Sequence, residues 1–180
     1  GTILQAYANG IPYGVGIGFV SNSNQPRLNI GSTTGSQTNI VNSIGNNSLN
    51  VNTWTHIAVV FTGTVYAIYV GGAQSATTSS STQVPSATWA NMYIGGPNAS
   101  GSSNGYIDGL MISNVARYTS GFTPSASAPS EDGNTIYINQ FEGSITTIPP
   151  HMPTTMTTNS KTVTTVPRGL FGNSSMALTQ

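Results

Sequence analysis

The sequence predicts an all-β fold: an antiparallel β-sandwich of jelly-roll type with a Thr/Pro-rich C-terminal extension. Three observations carry that prediction. Apolar residues recur with a period of two, the candidate strands are short and divided by Gly, Asn, Ser and Pro clusters with turn chemistry, and no stretch sustains an apolar period of about 3.6. Many short strands at such spacing pack face to face as a sandwich.

Taken in order, strands are predicted at 2–7 (TILQAY), 13–20 (YGVGIGFV), 26–31 (PRLNIG) and 38–44 (TNIVNSI). The clearest alternation follows in NTWTHIAVVFTGTVYAIYV (52–70), where Trp54, His56, Ala58 and Val60 share one face and Ile57, Val59 and Phe61 the other. Thr62-Gly63-Thr64 then turns the chain into a partner strand that sets Val65, Ala67 and Tyr69 against Tyr66, Ile68 and Val70. Apolar residues on both faces predict a well-buried hairpin. Further strands are predicted at 91–95 (NMYIG), 105–113 (GYIDGLMIS) and 134–141 (NTIYINQF).

The strand at 105–113 breaks parity. Ile107, Leu110 and Ile112 form its inward set, yet the step from 107 to 110 is odd. A β-bulge at Asp108-Gly109 restores the alternation: the glycine takes the unusual backbone, and the Asp108 side chain accepts N–H groups that the interrupted ladder leaves open. From Ser144 the sequence turns to SITTIPPHMPTTMTTNSKTVTTVP, too polar to fold alone, and reads as a tail, a linker or strands that dock elsewhere.

Composition bounds the function. Charged residues make up 4% of the 180-residue chain, against roughly 25% in an average soluble domain. Ser, Thr and Asn, 66 of 180, take their place. A neutral surface of hydroxyls and amides cannot neutralise phosphates, which argues against nucleic acid and anionic membranes as partners. The absence of cysteine excludes disulfides, thiolate metal sites and cysteine nucleophiles. No apolar run approaches the roughly 18 residues of a membrane-spanning helix. The chain opens on Gly1 rather than Met, as expected of a processed product or a piece of a longer protein.

The chemical groups are few. Glycan hydrolysis needs two carboxyl groups either about 5 Å or about 6.5–9.5 Å apart, and the supply is Asp108, Glu131, Asp132 and Glu142. Glu131 and Asp132 are adjacent in PSEDGN, which reads as a solvated turn, so a non-enzyme is expected. His56 reads as a neutral, buried structural residue in mid-strand, and His151 lies in the tail; neither supports a metal site. Arg117 is expected to pair with Asp108 or to cover Tyr118 or Phe122. Should the surface bind sugar, Trp89, Tyr93, Tyr118 and Tyr13 are the candidate platforms, although strand aromatics are more often packing.

The ordered set NTWTHIAVVFTGTVYAIYVGG, NMYIGG and GYIDGLMISNVARYTSGFTP over 52–124 resembles the second half of a laminin-G-like, concanavalin A-like jelly roll. The variant it is most similar to occurs in tailed-bacteriophage structural proteins, where an Ala-Arg-Tyr and Phe-Thr-Pro turn follows the Ile-Asp strand. TIYINQFEG (135–143) and LFGNSSMALTQ (170–180) resemble features that open such a domain. The resemblance thus divides the chain into 1–130, a sandwich without its first strands, and 131–180, a segment similar to a domain start. That segment is either a truncated next repeat or a source of strands for its own or a neighbouring sandwich. Open sheet edges invite pairing, so exchanged strands and a homo-oligomer are expected.

The resemblance implies a non-enzymatic structural protein on a virion surface: a capsid decoration, head fibre or tail fibre component that touches other virion proteins and adheres weakly to a surface glycan. The alternative is a carbohydrate-binding or adhesion module of a secreted bacterial protein. No cofactor is implied except calcium, which some laminin-G-like domains bind. Asp108 with Asn98 and Asn104 would supply its oxygen ligands, but Gly71 stands where relatives often carry Asp or Asn.

Overall fold

The computed structural model describes residues 1–8, 11–20, 23–31, 39–79, 89–96, 104–141, 163–166 and 175–178, and every regular element among them is a strand. β1 (Thr2–Ala8), β2 (Ile11–Phe19), β3 (Pro26–Gly31), β4 (Asn39–Ile44) and β8 (Trp89–Ile94) form an antiparallel sheet in the order β4-β3-β2-β1-β8. β5 (Ile57–Phe61), β6 (Val65–Val70) and β7 (Ala73–Ser79) form a second sheet in sequence order. Two smaller ladders pair β10 (Leu110–Ser113) with β11 (Thr135–Asn139), and join β12 (Val163–Val166), β13 (Ser175–Leu178) and β9 (Gly105–Ile107) in the order β12-β13-β9.

The two large sheets are the layers of the expected sandwich. Val15 and Ile17 of β2 and the buried Leu28 and Ile30 of β3 face Val59, Phe61, Tyr66, Ile68, Val70 and Ala76 of β5–β7. Burying one such side chain fully contributes about 1.5–3 kcal/mol, so this slab is the chief source of stability in a chain without disulfides. Backbone joins the layers at one side: the N–H groups of Asn46 and Asn47 donate to the carbonyl and hydroxyl oxygens of buried Ser75 in β7, at 3.1 and 3.0 Å.

The hairpin β5–β6 is buried on both faces because it is the middle of three layers. Its other face, Ala58, Val60, Ala67 and Tyr69, packs under Ala116, Tyr118 and Phe122 from the segment that follows β10. That segment is fastened at the β6–β7 turn. Gly71 (φ +59) and Gly72 (φ +83) make the two-residue connection between paired Val70 and Ala73, a turn that needs positive φ at both central positions. The Phe122 N–H donates to the Gly72 carbonyl at 2.9 Å, and a Cβ on Gly72 would stand 1.9 Å from the Phe122 carbonyl oxygen.

At Asp108-Gly109, where alternation slips, the strand divides in two. β9 pairs with β13 and β10 with β11, so the slip is a corner between ladders rather than a bulge within one. Gly109 takes φ +62, and the odd step lets both Ile107 and Leu110 pack with Ile94 under buried Phe141. Phe141 itself holds a left-handed backbone (φ +56), fixed by its N–H donating to Asn139 Oδ1 at 2.7 Å.

β7 was not predicted: AQSATTS offers no hydrophobic contrast, and its place follows from the tight turn and the ladder to β6. The polar tail contributes β12 (VTTV) and β13 (SMAL), which pair with each other before β13 meets β9.

Candidate functional site

Two groups of aromatic rings meet different environments. In the first, Tyr118 and Phe122 stack with centroids 3.6 Å apart and planes 8° from parallel, over Tyr69. His56 stands edge-on to both, at 6.0 and 5.4 Å. Burial disfavours the imidazolium, so the His56 pKa is lowered from its ordinary value, and among the described residues its Nδ1 is enclosed without a hydrogen-bond partner. His56 lies one residue before β5, and its carbonyl accepts the Gly71 N–H at 2.8 Å. This cluster is interior packing.

The second group is exposed. Trp54 is 39% and Tyr106 47% accessible, with ring centroids 6.3 Å apart and planes inclined by 50°. Tyr106 is in β9, on the face opposite Ile107, while Trp54 follows a turn in which Asn52 adopts φ +58. The turn is braced by the Thr53 hydroxyl donating to the Val51 carbonyl and the Thr55 hydroxyl to that of Thr53, both at 3.4 Å. Val51 is also exposed. Two tilted exposed rings bordered in sequence by Asn52, Thr53, Thr55 and Asn104 make an amphipathic surface, suited to an apolar face that carries hydroxyls.

The charged groups form an anchor. Arg117 donates from both terminal nitrogens to Asp132, at 2.9 and 2.7 Å, and from Nε to the Ser113 hydroxyl. The Asn134 N–H and the Thr135 hydroxyl also donate to Asp132 Oδ1, at 3.0 and 2.9 Å. The Arg117 hydrogen bonds first, then those of Asn134 and Thr135, hold the Asp132 carboxyl well below the usual carboxylate range. Arg117 thus pairs with Asp132 and not with Asp108, and PSEDGN is more than a solvated turn: its Asp132 ties the start of β11 to the segment covering β5–β6.

Among the described residues, the remaining predicted ones do not converge. Tyr118 belongs to the half-buried stack with Phe122, Tyr93 is half-buried in β8 opposite Gln5, and Trp89 has its backbone in β8 opposite Ala8, its side chain lying outside the described residues. The Tyr13 side chain, Asn98, Glu142 and His151 also lie outside them. Asp108 is half-buried at the strand corner and Asn104 is exposed beside β9. Among the described residues no three His, Asp or Glu side chains group as metal ligands.

Trp54 and Tyr106 were not among the predicted platforms. Tyr106 was legible as outward-facing, since Ile107 points in. Trp54 shares parity with Ala58 and Val60, but it precedes β5 and stays 39% accessible, whereas the covering layer packs on Ala58, Val60 and His56.

The family model described as the concanavalin A-like lectin/glucanases superfamily matches residues 2–120. No curated protein and no solved structure matches the chain.

Proposed function

Because the chain belongs to the concanavalin A-like lectin/glucanases superfamily, we propose that it is a non-catalytic adhesion module that holds a neutral carbohydrate against the Trp54–Tyr106 pair. The observation that carries the reading is that pair: two large rings exposed side by side on a surface with almost no charge. Indole and phenol rings offer apolar faces to the C–H side of a sugar, and neighbouring Asn and Thr groups exchange hydrogen bonds with its hydroxyls. A surface with so few charges also favours an uncharged glycan over an acidic one.

The family description spans lectins and glucanases, and the setting of Asp132 favours the former. A general acid needs a pKa raised toward neutrality. Asp132 is held in the opposite direction, and its oxygens are engaged by Arg117, Asn134 and Thr135.

The resemblance over residues 52–124 implies a phage particle as the setting, with the module displayed as a capsid decoration or fibre component. Capsid or tail genes flanking the reading frame would support that setting, and their absence would favour a secreted bacterial adhesin.

A neutral-glycan array and affinity electrophoresis test the binding. Retention by at least one neutral polysaccharide is expected, with no release of reducing ends and loss of retention in Trp54→Ala and Tyr106→Ala. Retention unchanged in both variants would overturn the assignment of the site.

A further inference from the structure

We propose that the β12–β13 ribbon is a donor element that adds to β9 of a second copy of this chain, so that two copies exchange ribbons. β9 has β13 as its ladder neighbour, and no other described strand pairs with it. The acceptor is fixed in position, because Ile107 packs with Ile94 and Leu110 under Phe141. Without β13, a short strand held by the core presents an open edge.

The donor is equally incomplete. β12 and β13 pair with each other from Val163↔Leu178 to Val166↔Ser175, and β13 meets β9 through Met176↔Ile107, Ala177↔Tyr106 and Leu178↔Gly105. A two-stranded ribbon is marginal in water and needs a third strand. Neither β9 (GYI) nor β13 (SMAL) carries the Lys, Pro or other charge that blunts natural edges against pairing.

Connectivity leaves the edges of both copies within reach. Phe141 is anchored in the core, β12 begins at Val163, and the chain between them, 142–162, reaches roughly 70 Å when extended. A folded chain of this length has a radius of gyration of about 16 Å, so the connection does not confine the ribbon to its own β9. A flexible tether of such contour length gives an effective concentration of about millimolar or less. Exchange re-forms the same ladder, and with formal net charge zero the copies do not repel at long range.

The chain has no cysteine, so engineered disulfides report the pairing directly. Positions 105 and 178 are Cα partners in an antiparallel ladder, a separation a disulfide spans, and the space beyond Gly105 is open. Full-length Gly105→Cys and Leu178→Cys single variants, refolded together at high protein concentration and oxidised, are expected to yield a covalent heterodimer. The double variant should shift from intrachain to interchain disulfide as concentration rises. Light scattering on the parent chain, independent of any substitution, should show a monomer passing to a dimer. An intrachain disulfide alone at every concentration, or a parent chain that stays monomeric into the millimolar range, would overturn exchange. No disulfide in either arrangement, from variants whose circular dichroism matches the parent, would overturn the docking of β13 on β9 itself.

Discussion

Tyr118–Phe122 and Trp54–Tyr106 are pairs of the same chemistry with opposite uses. One is stacked at 3.6 Å between Tyr69 and His56; the other is splayed at 6.3 Å and open to solvent. The difference is made by a third layer. Residues 116–122 cover the outer face of β5–β6 over Ala58, Val60 and Tyr69 and pack against His56, while Trp54, two residues earlier, stays 39% accessible. The role of an aromatic in this chain is therefore set less by its own strand than by how far a non-local segment reaches.

The strongest way to break the contrast is to remove the cover. Phe122→Ala deletes a ring that packs on Tyr69, His56 and Tyr118, and should cost about 3 kcal/mol, read as a lower urea midpoint with an unchanged slope. Next comes the fastening. Gly72→Ala puts a methyl into the Phe122 carbonyl at a left-handed position and should cost about 2 kcal/mol. The adjacent Gly71→Asn meets open space in a conformation asparagine tolerates, and should stay within about 0.5 kcal/mol of the parent. Equal effects at 71 and 72 would show that the turn alone, and not the docking of Phe122, matters.

These features differ in how far the sequence revealed them. Strands with apolar alternation, such as 57–61 and 65–70, were legible because burial on both faces selects Val, Ile and Tyr at successive positions. The odd step at 107–110 was legible too, but its meaning was not: whether two ladders or one meet at Asp108-Gly109 depends on β11 and β13, which lie far along the chain. The Arg117–Asp132 pair was missed for the same reason, since fifteen residues separate the partners and only the folded turn brings them to 2.7 Å. Trp54 looked like core because parity describes a strand and carries no information about where a covering segment stops.

Acid provides a gentler probe of the covered cluster. The folded-state pKa of His56 is lowered from 6.5 by burial, so the unfolded chain binds the proton more readily. The neutral ring's contribution is intact above pH 6.5 and is lost as pH falls through that value toward the lower folded one. Thermal midpoints should decline over that window in the parent and flatten in His56→Phe. The same slope in both would remove His56 from the account.

A modest effect on stability is expected where the largest effect on function lies. Trp54 is 39% accessible, so Trp54→Ala gives up part of a half-exposed ring and should cost about 1 kcal/mol, well below the cost of Phe122→Ala. If the open pair is a binding platform, the same change should weaken retention on a neutral glycan by about tenfold or more, a difference of about 1.4 kcal/mol in binding. Trp54→Phe keeps a flat apolar face of smaller area, and should fall between parent and alanine. Phe122→Ala, measured well below its own melting point, should retain binding that Trp54→Ala loses. That crossed result separates a ring used for packing from a ring used for contact; were Trp54→Ala instead to unfold the chain while leaving residual binding intact, the two pairs would share one structural role and the platform would have to be sought elsewhere.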